Sequence, residues 1–381
     1  MFDLIIVGSG LYGAVTAYLA KAKGMKCLVL ERRKEMGGNI RDEWTDGICV
    51  HQYGAHIFHT DSEDIWNFVN RLTPFNHYVH TVLAYSKGRL YHLPFSMQTL
   101  YEVYGISRPS QMQAILEEEH RREYYEQPTN LEEQAINLVG RRVYELLVKG
   151  YTEKQWGCKA TELSPDIIRR LPIRQTFDNR YFSDRYQGVP ERGYSHLIHQ
   201  LLKGIDIRTG VDFCREREYW LNQARHVVYT GMVDELMDYE LGELVYRGLR
   251  FETERLVTGN YQGAAVINEV SGDVPFTRTI EHKHFHYNTD LSHTIITREY
   301  PQVWKRGHEA YYPVNSERNN RLYEKYVSFV SHRYPSVCLG GRLGHYRYYD
   351  MDDAISAAMV NFTSIQKRIS MDNPPDQRGL Y

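Results

Sequence analysis

At 381 residues the chain is too long for one simple core and predicts two or three domains. Apolar residues make up 42% of it and charged residues 25%, an ordinary globular balance. The formal net charge of -2 argues against a nucleic-acid binder, which would carry a strongly basic face.

The first predicted element is Asp3-Leu4-Ile5-Ile6-Val7, an apolar run of the kind found in parallel strands buried on both faces. It feeds Gly8-Ser9-Gly10-Leu11-Tyr12-Gly13, a GxGxxG, and then a helix over 14–23. A second strand, Cys27-Leu28-Val29-Leu30, ends at Glu31. Strand, glycine turn, helix, strand and acid together are the dinucleotide fingerprint. Gly8 makes the tight turn, Gly10 lets the backbone approach a pyrophosphate, and Gly13 lets the helix pack on the strand. The helix N-terminus offers free N–H groups to the phosphates. Glu31 suits ribose hydroxyls and disfavours a 2′-phosphate, which argues against NADP. Arg32, Arg33 and Lys34 lead to Gly37-Gly38-Asn39-Ile40, a second glycine pair that favours FAD over NAD.

Further along, Ile65–Asn70 reads as a short amphipathic helix, and Thr81–Leu93 as two strands turning at Lys87-Gly88. Residues 95–165 are helical in character, with segments over Gln111–Tyr125 and Leu131–Tyr151. Thr161–Arg174, punctuated by Pro165 and Pro172, reads as a loop with a short helix, mobile on composition. A helix over Leu197–Leu202 and strands at Ile205–Gly210 and His226–Gly231 mark the return to the nucleotide domain. Residues 245–300 alternate as strands, Val337–Leu339 is a last strand, and Met351–Ile369 a closing helix. The predicted fold is α/β: a Rossmann-like FAD-binding domain with an inserted helical domain and an antiparallel sheet domain. The expected boundaries are 1–75 plus 195–243 plus 328–381 for the first, 95–170 for the second, and 76–94 plus 171–194 plus 244–327 for the third.

Cys27, Cys49, Cys158, Cys214 and Cys338 form no CxxC pair and no metal spacing, and read as reduced thiols of a cytoplasmic protein. A strand starting at residue 2 or 3 leaves no room for a signal peptide, and no apolar run reaches the roughly 18 residues that span a bilayer. There is no GxSxG, no sensibly spaced carboxylate pair and no metal cluster. His282 and His284, two apart in a strand-like stretch, are expected on one face in a structural role, since no third ligand is evident. The 31 tyrosines are out of proportion. Most fill cores, while those beside arginines in polar loops are candidate ligands for sugar or phosphate oxygens.

Along nearly its whole length the chain resembles bacterial UDP-galactopyranose mutases. The blocks that carry the likeness are Gly8–Gly13, Gly37–Ile40, Gly54–Thr60, Tyr151–Gly157, Arg170–Arg174, Phe177–Phe182, Tyr246-Arg247, Arg278 with Glu281–Phe285, Glu299–Pro301, Tyr311–Pro313 and Gly341–Asp350. The resemblance implies a homodimeric isomerase that converts UDP-galactopyranose to UDP-galactofuranose on reduced FAD, with flavin N5 as the nucleophile. It assigns Arg170 and Arg278 to the diphosphate and His56 to the loop against the flavin ring. Trp156, Tyr151, Tyr181 and Asn268 fall at the uridine, and Tyr181, Tyr312 and Tyr348 reach the diphosphate. Arg247 joins the substrate set, and Arg342, Asp350 and Met351 the flavin side, with Ser9, Leu11, Tyr12, Arg32, Gly38 and Asn39 along the rest of the cofactor. The Arg170 segment is expected to close over bound UDP-sugar. Two positions depart from the family pattern: Ser96 where asparagine is expected, and Gly248 where serine is. A flavin oxidoreductase of the amine oxidase type, a mutase for another UDP-sugar (2-acetamido or arabinose), and a non-catalytic nucleotide-sugar sensor remain as alternatives.

Overall fold

The computed structural model describes residues 1–169, 173–287 and 290–372. Arg170 lies outside the described residues. From the N-terminus, β1 (Phe2–Val7) leads through the glycine turn into a helix over Leu11–Ala22 and back along β2 (Cys27–Glu31). A hairpin, β3 (Asp42–Thr45) and β4 (Ile48–His51), is followed by β5 (Phe58–Thr60) and a helix over Glu63–Leu72. A second hairpin, β6 (Val82–Ser86) and β7 (Arg89–Leu93), turns on Lys87 and Gly88 with φ of 49° and 78°, the two left-handed residues that a tight hairpin needs. Helices over Met97–Tyr104, Pro109–Arg122, Leu131–Val143, Lys149–Trp156 and Asp166–Arg169 come next. β8 (Tyr186–Gly188) pairs with β5, and a helix over Tyr194–Leu201 leads to β9 (Asp206–Thr209) and β10 (Ala224–Tyr229). Then come β11 (Tyr246–Leu256), β12 (Val266–Glu269), β13 (Arg278–Glu281), β14 (Thr294–Val303) and β15 (Tyr312–Pro313). A helix over Glu317–Arg333, β16 (Val337–Leu339) and a helix over Met351–Asp372 close the chain.

Two sheets organise these elements. The first is parallel throughout, in the order β16-β10-β1-β2-β9. Alternation along β1 sends Leu4 and Ile6 to one face and Ile5 to the other. Leu4 and Ile6 pack with the helices over 11–22, 194–201 and 351–372. Ile5, Leu28 and Val227 pack instead with Phe213, Trp220, Tyr326 and Val330. This double cover explains why β1 reads as an unbroken apolar run. The second sheet runs β15-β11-β14-β13-β12-β6-β7. It is antiparallel except where the early hairpin joins β12 through β6, a parallel pairing, so the sheet is mixed rather than purely antiparallel. The helices over 97–156 share a core of their own, with Met97, Leu100, Ile136 and Tyr144 at its centre.

Two local readings are corrected. The helix predicted over Leu131–Tyr151 breaks at Gly140, where φ is 77° and ψ 159°, and a π-turn over Tyr144–Val148 precedes the next helix. The Glu119 side chain fills the space that a Cβ at Gly140 would need, so the break is packed and not merely permitted. His282 and His284 do not share a strand face. β13 ends at Glu281 and the chain tightens into a 3-10 helix over His282–His286, where two residues apart point in different directions.

Candidate functional site

The glycines of the turn differ in how closely they are packed. A Cβ on Gly13 would lie 2.1 Å from Gly8 O, and one on Gly8 would lie 2.1 Å from Thr230 Oγ1, so both glycines are required by packing. Gly10 differs: its nearest protein neighbour would be Gly38 Cα at 3.8 Å, which leaves its face open. Gly38 in turn would meet Gly10 Cα at 2.8 Å, so the two fingerprints touch. The helix over 11–22 starts with no side-chain cap and no acid in its first turn, which leaves its first N–H groups available. Ser9 ties the motif together. Its N–H and Oγ donate to Glu31 Oε2 at 2.9 and 2.6 Å, and Gly37 N–H donates to Ser9 Oγ at 3.1 Å. Leu11 and Tyr12 are core residues, with Tyr12 filling the space beside Gly340.

A cavity of about 170 Å³ opens beside this motif, lined among others by Gly8, Gly10, Glu31, Arg32, Gly38 and Asn39. Arg32 pairs with Glu235 at 3.1 Å. Residues to which the sequence gave no cofactor role also line it: Asp212, Cys214, Thr230 and Arg33. Arg33 donates to both oxygens of Glu309 and to Asn39 Oδ1, and lies 4.3 Å over the Tyr53 ring. A run of three basic residues gave no way to tell which one turns inward.

At the other end, Arg342 donates to Tyr349 O at 2.7 Å and Tyr311 O at 3.4 Å, and its guanidinium lies 5.2 and 5.3 Å from the Tyr312 and Tyr348 ring centres. Asp350 O accepts the Ala354 N–H, so the helix begins at Met351 as expected. Its first turn carries Asp352 and Asp353, which offset part of the positive helix end. His56 donates from Nδ1 to Gly54 O at 2.8 Å, and its N–H donates to His51 Nδ1 at 3.1 Å. Burial, with the charges of Arg342 and Arg278 acting the same way, lowers the His56 pKa to about 4. His56 is therefore neutral near pH 7 with its proton on Nδ1, and Nε2 carries a lone pair that has no partner among the described residues.

Arg278, on β13, is the centre of the third group. Nη2 donates to Tyr151 OH, and Nε lies 3.6 Å from Glu299 Oε1, an ion-pair distance without a hydrogen bond. A share of 26% of its side-chain surface stays exposed, and Nη1 has no hydrogen-bond partner among the described residues. Burial alone would lower its pKa. The Glu299 carboxylate is the leading opposing charge, and the Arg278 pKa is held well above the usual range. Burial raises Tyr181 to about 12 and pushes Tyr151 and Tyr312 up, so these phenols remain donors. Tyr312 and Tyr348 stack at 5.4 Å. Asn268, the β12 register partner of Arg278, is buried, and its Oδ1 has no partner among the described residues. Half-buried Trp156 ends the helix over 149–156, and Arg247 secures that end by donating Nε and Nη2 to Gln155 O at 3.0 and 2.7 Å. Arg247 is thus placed to hold the turn that carries Trp156. Glu299, buried between Arg278 and Gly54, fell within a block that carries the resemblance but was given no role, because one carboxylate on an alternating strand carries no signal of its partner.

A sequence model described as UDP-galactopyranose mutase matches residues 146–348. A probable UDP-galactopyranose mutase of Klebsiella pneumoniae is 37% identical over 363 residues, covering 94% of this chain and 93% of its own length. The chain belongs to the UDP-galactopyranose mutase family. It is accordingly an enzyme of the isomerase class. A dTDP-fucopyranose mutase of Escherichia coli is 35% identical over 367 residues, covering 94% of this chain and 97% of its own. At the level of fold, a crystal structure of reduced UDP-galactopyranose mutase superposes with a TM-score of 0.77 at 14% identity, covering 99% of this chain and 97% of the other. Residues 6–72 also match a model of NAD(P)-binding Rossmann-like domains. Among the described residues no helix is long and apolar enough to cross a membrane. The two departures from the family pattern are both accommodated locally. Ser96 is fully buried, caps the helix over 97–104 and donates to Asn179 Oδ1 at 2.9 Å. Gly248 has ordinary room for a Cβ, with its nearest neighbours at 3.6 Å.

Proposed function

We propose that this mutase interconverts UDP-galactopyranose and UDP-galactofuranose on reduced FAD. The observation that carries the reading is Arg278: a cation with one donor open, ringed by protonated phenols, and within electrostatic reach of His56 on the flavin side. FAD fits the nucleotide site, because the open face of Gly10, the uncapped helix and the acceptor Glu31 are what a pyrophosphate and ribose require. When bound and reduced, FAD would supply the nucleophile, its N5, for C1 of the sugar.

The chain's own residues do the rest. As the C1–O bond breaks, the electron pair leaves with UDP and the diphosphate gains negative charge. Arg278 Nη1 and Arg170 would hold that charge, aided by O–H donation from Tyr181, Tyr312 and Tyr348. A guanidinium suits the task because it stays charged and binds through a planar fork. Trp156, Tyr151 and Asn268 would seat the uridine, with Asn268 Oδ1 as an open acceptor. Neutral His56 presents Nε2 as an acceptor on the flavin side. For the ring to contract, C1–O5 would open, with O5 taking the electron pair and the proton that O4 gives up on closing onto C1. The UDP oxygen retained at the arginines would re-form its bond to C1 as the bond to the flavin breaks, with no net redox change.

The test is anaerobic incubation of the purified protein with UDP-galactofuranose, with and without dithionite, followed by chromatography of the nucleotide sugars. Conversion only in the reduced sample is expected. Turnover of the oxidised protein with oxygen consumption would overturn the reading in favour of an oxidase. A second reading is favoured by the dTDP-fucopyranose mutase relative, whose identity to this chain is nearly as high. dTDP-fucofuranose belongs in the same assay, and preference for it would move the substrate while keeping the reaction.

A further inference from the structure

The loop that carries His56 leaves β4 at His51, and its Gly54 has a φ of 97°. His51 is buried, with its ring stacked on Phe285 at 4.7 Å and 3°. Its Nδ1 accepts the His56 N–H, while its own N–H donates to His282 Nδ1 at 3.3 Å. His282, fully buried, donates from Nε2 to Thr297 Oγ1 at 2.7 Å, and Thr297 Oγ1 meets Thr253 Oγ1 at 2.9 Å. These bonds work only with both imidazoles neutral and protonated on Nε2. Burial keeps them so, lowering His282 to about 3 and His51 well below the usual histidine range.

The anchor has a second arm. Thr297 and Glu299 are two apart on β14 and share a face. Glu299 stands against Gly54, where a Cβ would lie 3.1 Å from Oε2, and also faces Arg278 Nε. β14 therefore backs His51 through Thr297 and His282, and packs Glu299 against both Gly54 and Arg278.

We infer that His51 is a positioning residue, holding the His56 main chain so that Nε2 of His56 is set against the flavin. The inference rests on the reading that His56 lies beside the flavin, and the experiment separates the two. FAD-loaded protein is compared by reduction midpoint, visible spectrum, and kcat against KM. His56→Ala serves as the reference for loss of the histidine. His51→Leu removes the acceptor. His51→Gln removes it while keeping polarity, since its amide sits at the Nε2 position, and stands in where the leucine variant does not fold. His51→Asn restores an acceptor at the Nδ1 position, and Phe285→Leu disturbs the packing while leaving the bond. The expected result is a shift of midpoint and spectrum in His56→Ala, reproduced by His51→Leu and His51→Gln. In these two kcat falls about tenfold, the scale of 1.4 kcal/mol, with KM little changed. His51→Asn stays near the parent, and Phe285→Leu loses stability without the shift. A parent-like flavin in both His51→Leu and His51→Gln beside a shifted His56→Ala, or an equal shift in Phe285→Leu, overturns the inference alone. An unshifted His56→Ala overturns the flavin-side reading and the inference with it.

Discussion

Arg278 combines two jobs that a substitution can separate. It neutralises buried Glu299, and it keeps Nη1 for the diphosphate. Arg278→Ala should cut kcat/KM by about 10² to 10³, the range seen when a preorganised charge stabiliser is removed. It should also destabilise the protein by about 3 kcal/mol, because Glu299 is left buried and unpaired. The double variant Arg278→Ala/Glu299→Gln removes the stranded charge, so denaturant midpoints should recover while turnover does not. If activity returned with stability, Arg278 would be a structural partner of Glu299 and nothing more.

At the scale of elements, the fingerprint glycines divide into packing and binding roles. Gly13→Ala drives a Cβ into Gly8 O, so the apoprotein itself should lose several degrees of melting temperature. Gly10→Ala meets nothing closer than 3.8 Å and has a φ of -66°, so the apoprotein should stay within about 1 kcal/mol of the parent. FAD retention after gel filtration should nevertheless collapse in Gly10→Ala, because the added methyl occupies the face left for the pyrophosphate. Normal retention there would place the cofactor elsewhere.

The same elements mark what could be read from the chain. β1, the glycine turn and β2 were legible because each residue's local preference agrees with its place in the sheet. The hairpin at Lys87-Gly88 was legible for the same reason. The 3-10 helix at His282 was not, since its residues alternate as a strand does and only the turn after Glu281 decides. Gly140 hid a helix break, because an isolated glycine in a helical pattern reads as tolerated until Glu119 is seen against it. Of the site, Arg278, His56, Tyr181 and Tyr312 came from motif blocks. Glu299, in a motif block that assigned it no role, and Arg33 act through Arg278 and Glu309, and His51 through distant His282 as well as its near neighbour His56, pairings that no local pattern announces.

For the whole molecule, the buried histidines set the acid limit. His56 is lowered to about 4, and His80 and His282 to about 3, each chiefly by burial, and burial likewise holds His51 well below the usual histidine range. In the unfolded chain these groups titrate near 6.5, so between pH 6.5 and 4 the unfolded state binds protons that the folded state does not. The sign follows: their contribution to stability is complete above pH 6.5 and is lost as pH falls toward the folded pKa. Each fully differential proton costs about 1.4 kcal/mol per pH unit. Carboxylates held low, such as Glu281 at about 2, act only below about pH 4.5, so the two classes separate on the pH axis. Urea midpoints measured from pH 7.5 down to 4.5 should therefore begin to fall just below pH 6.5. His282→Asn should flatten that slope by about one proton. A midpoint level down to pH 5 would show that these histidines take up protons as readily in the folded protein as in the unfolded chain, and the main-chain N–H donations to His51 Nδ1 and His282 Nδ1 could then not persist at that pH.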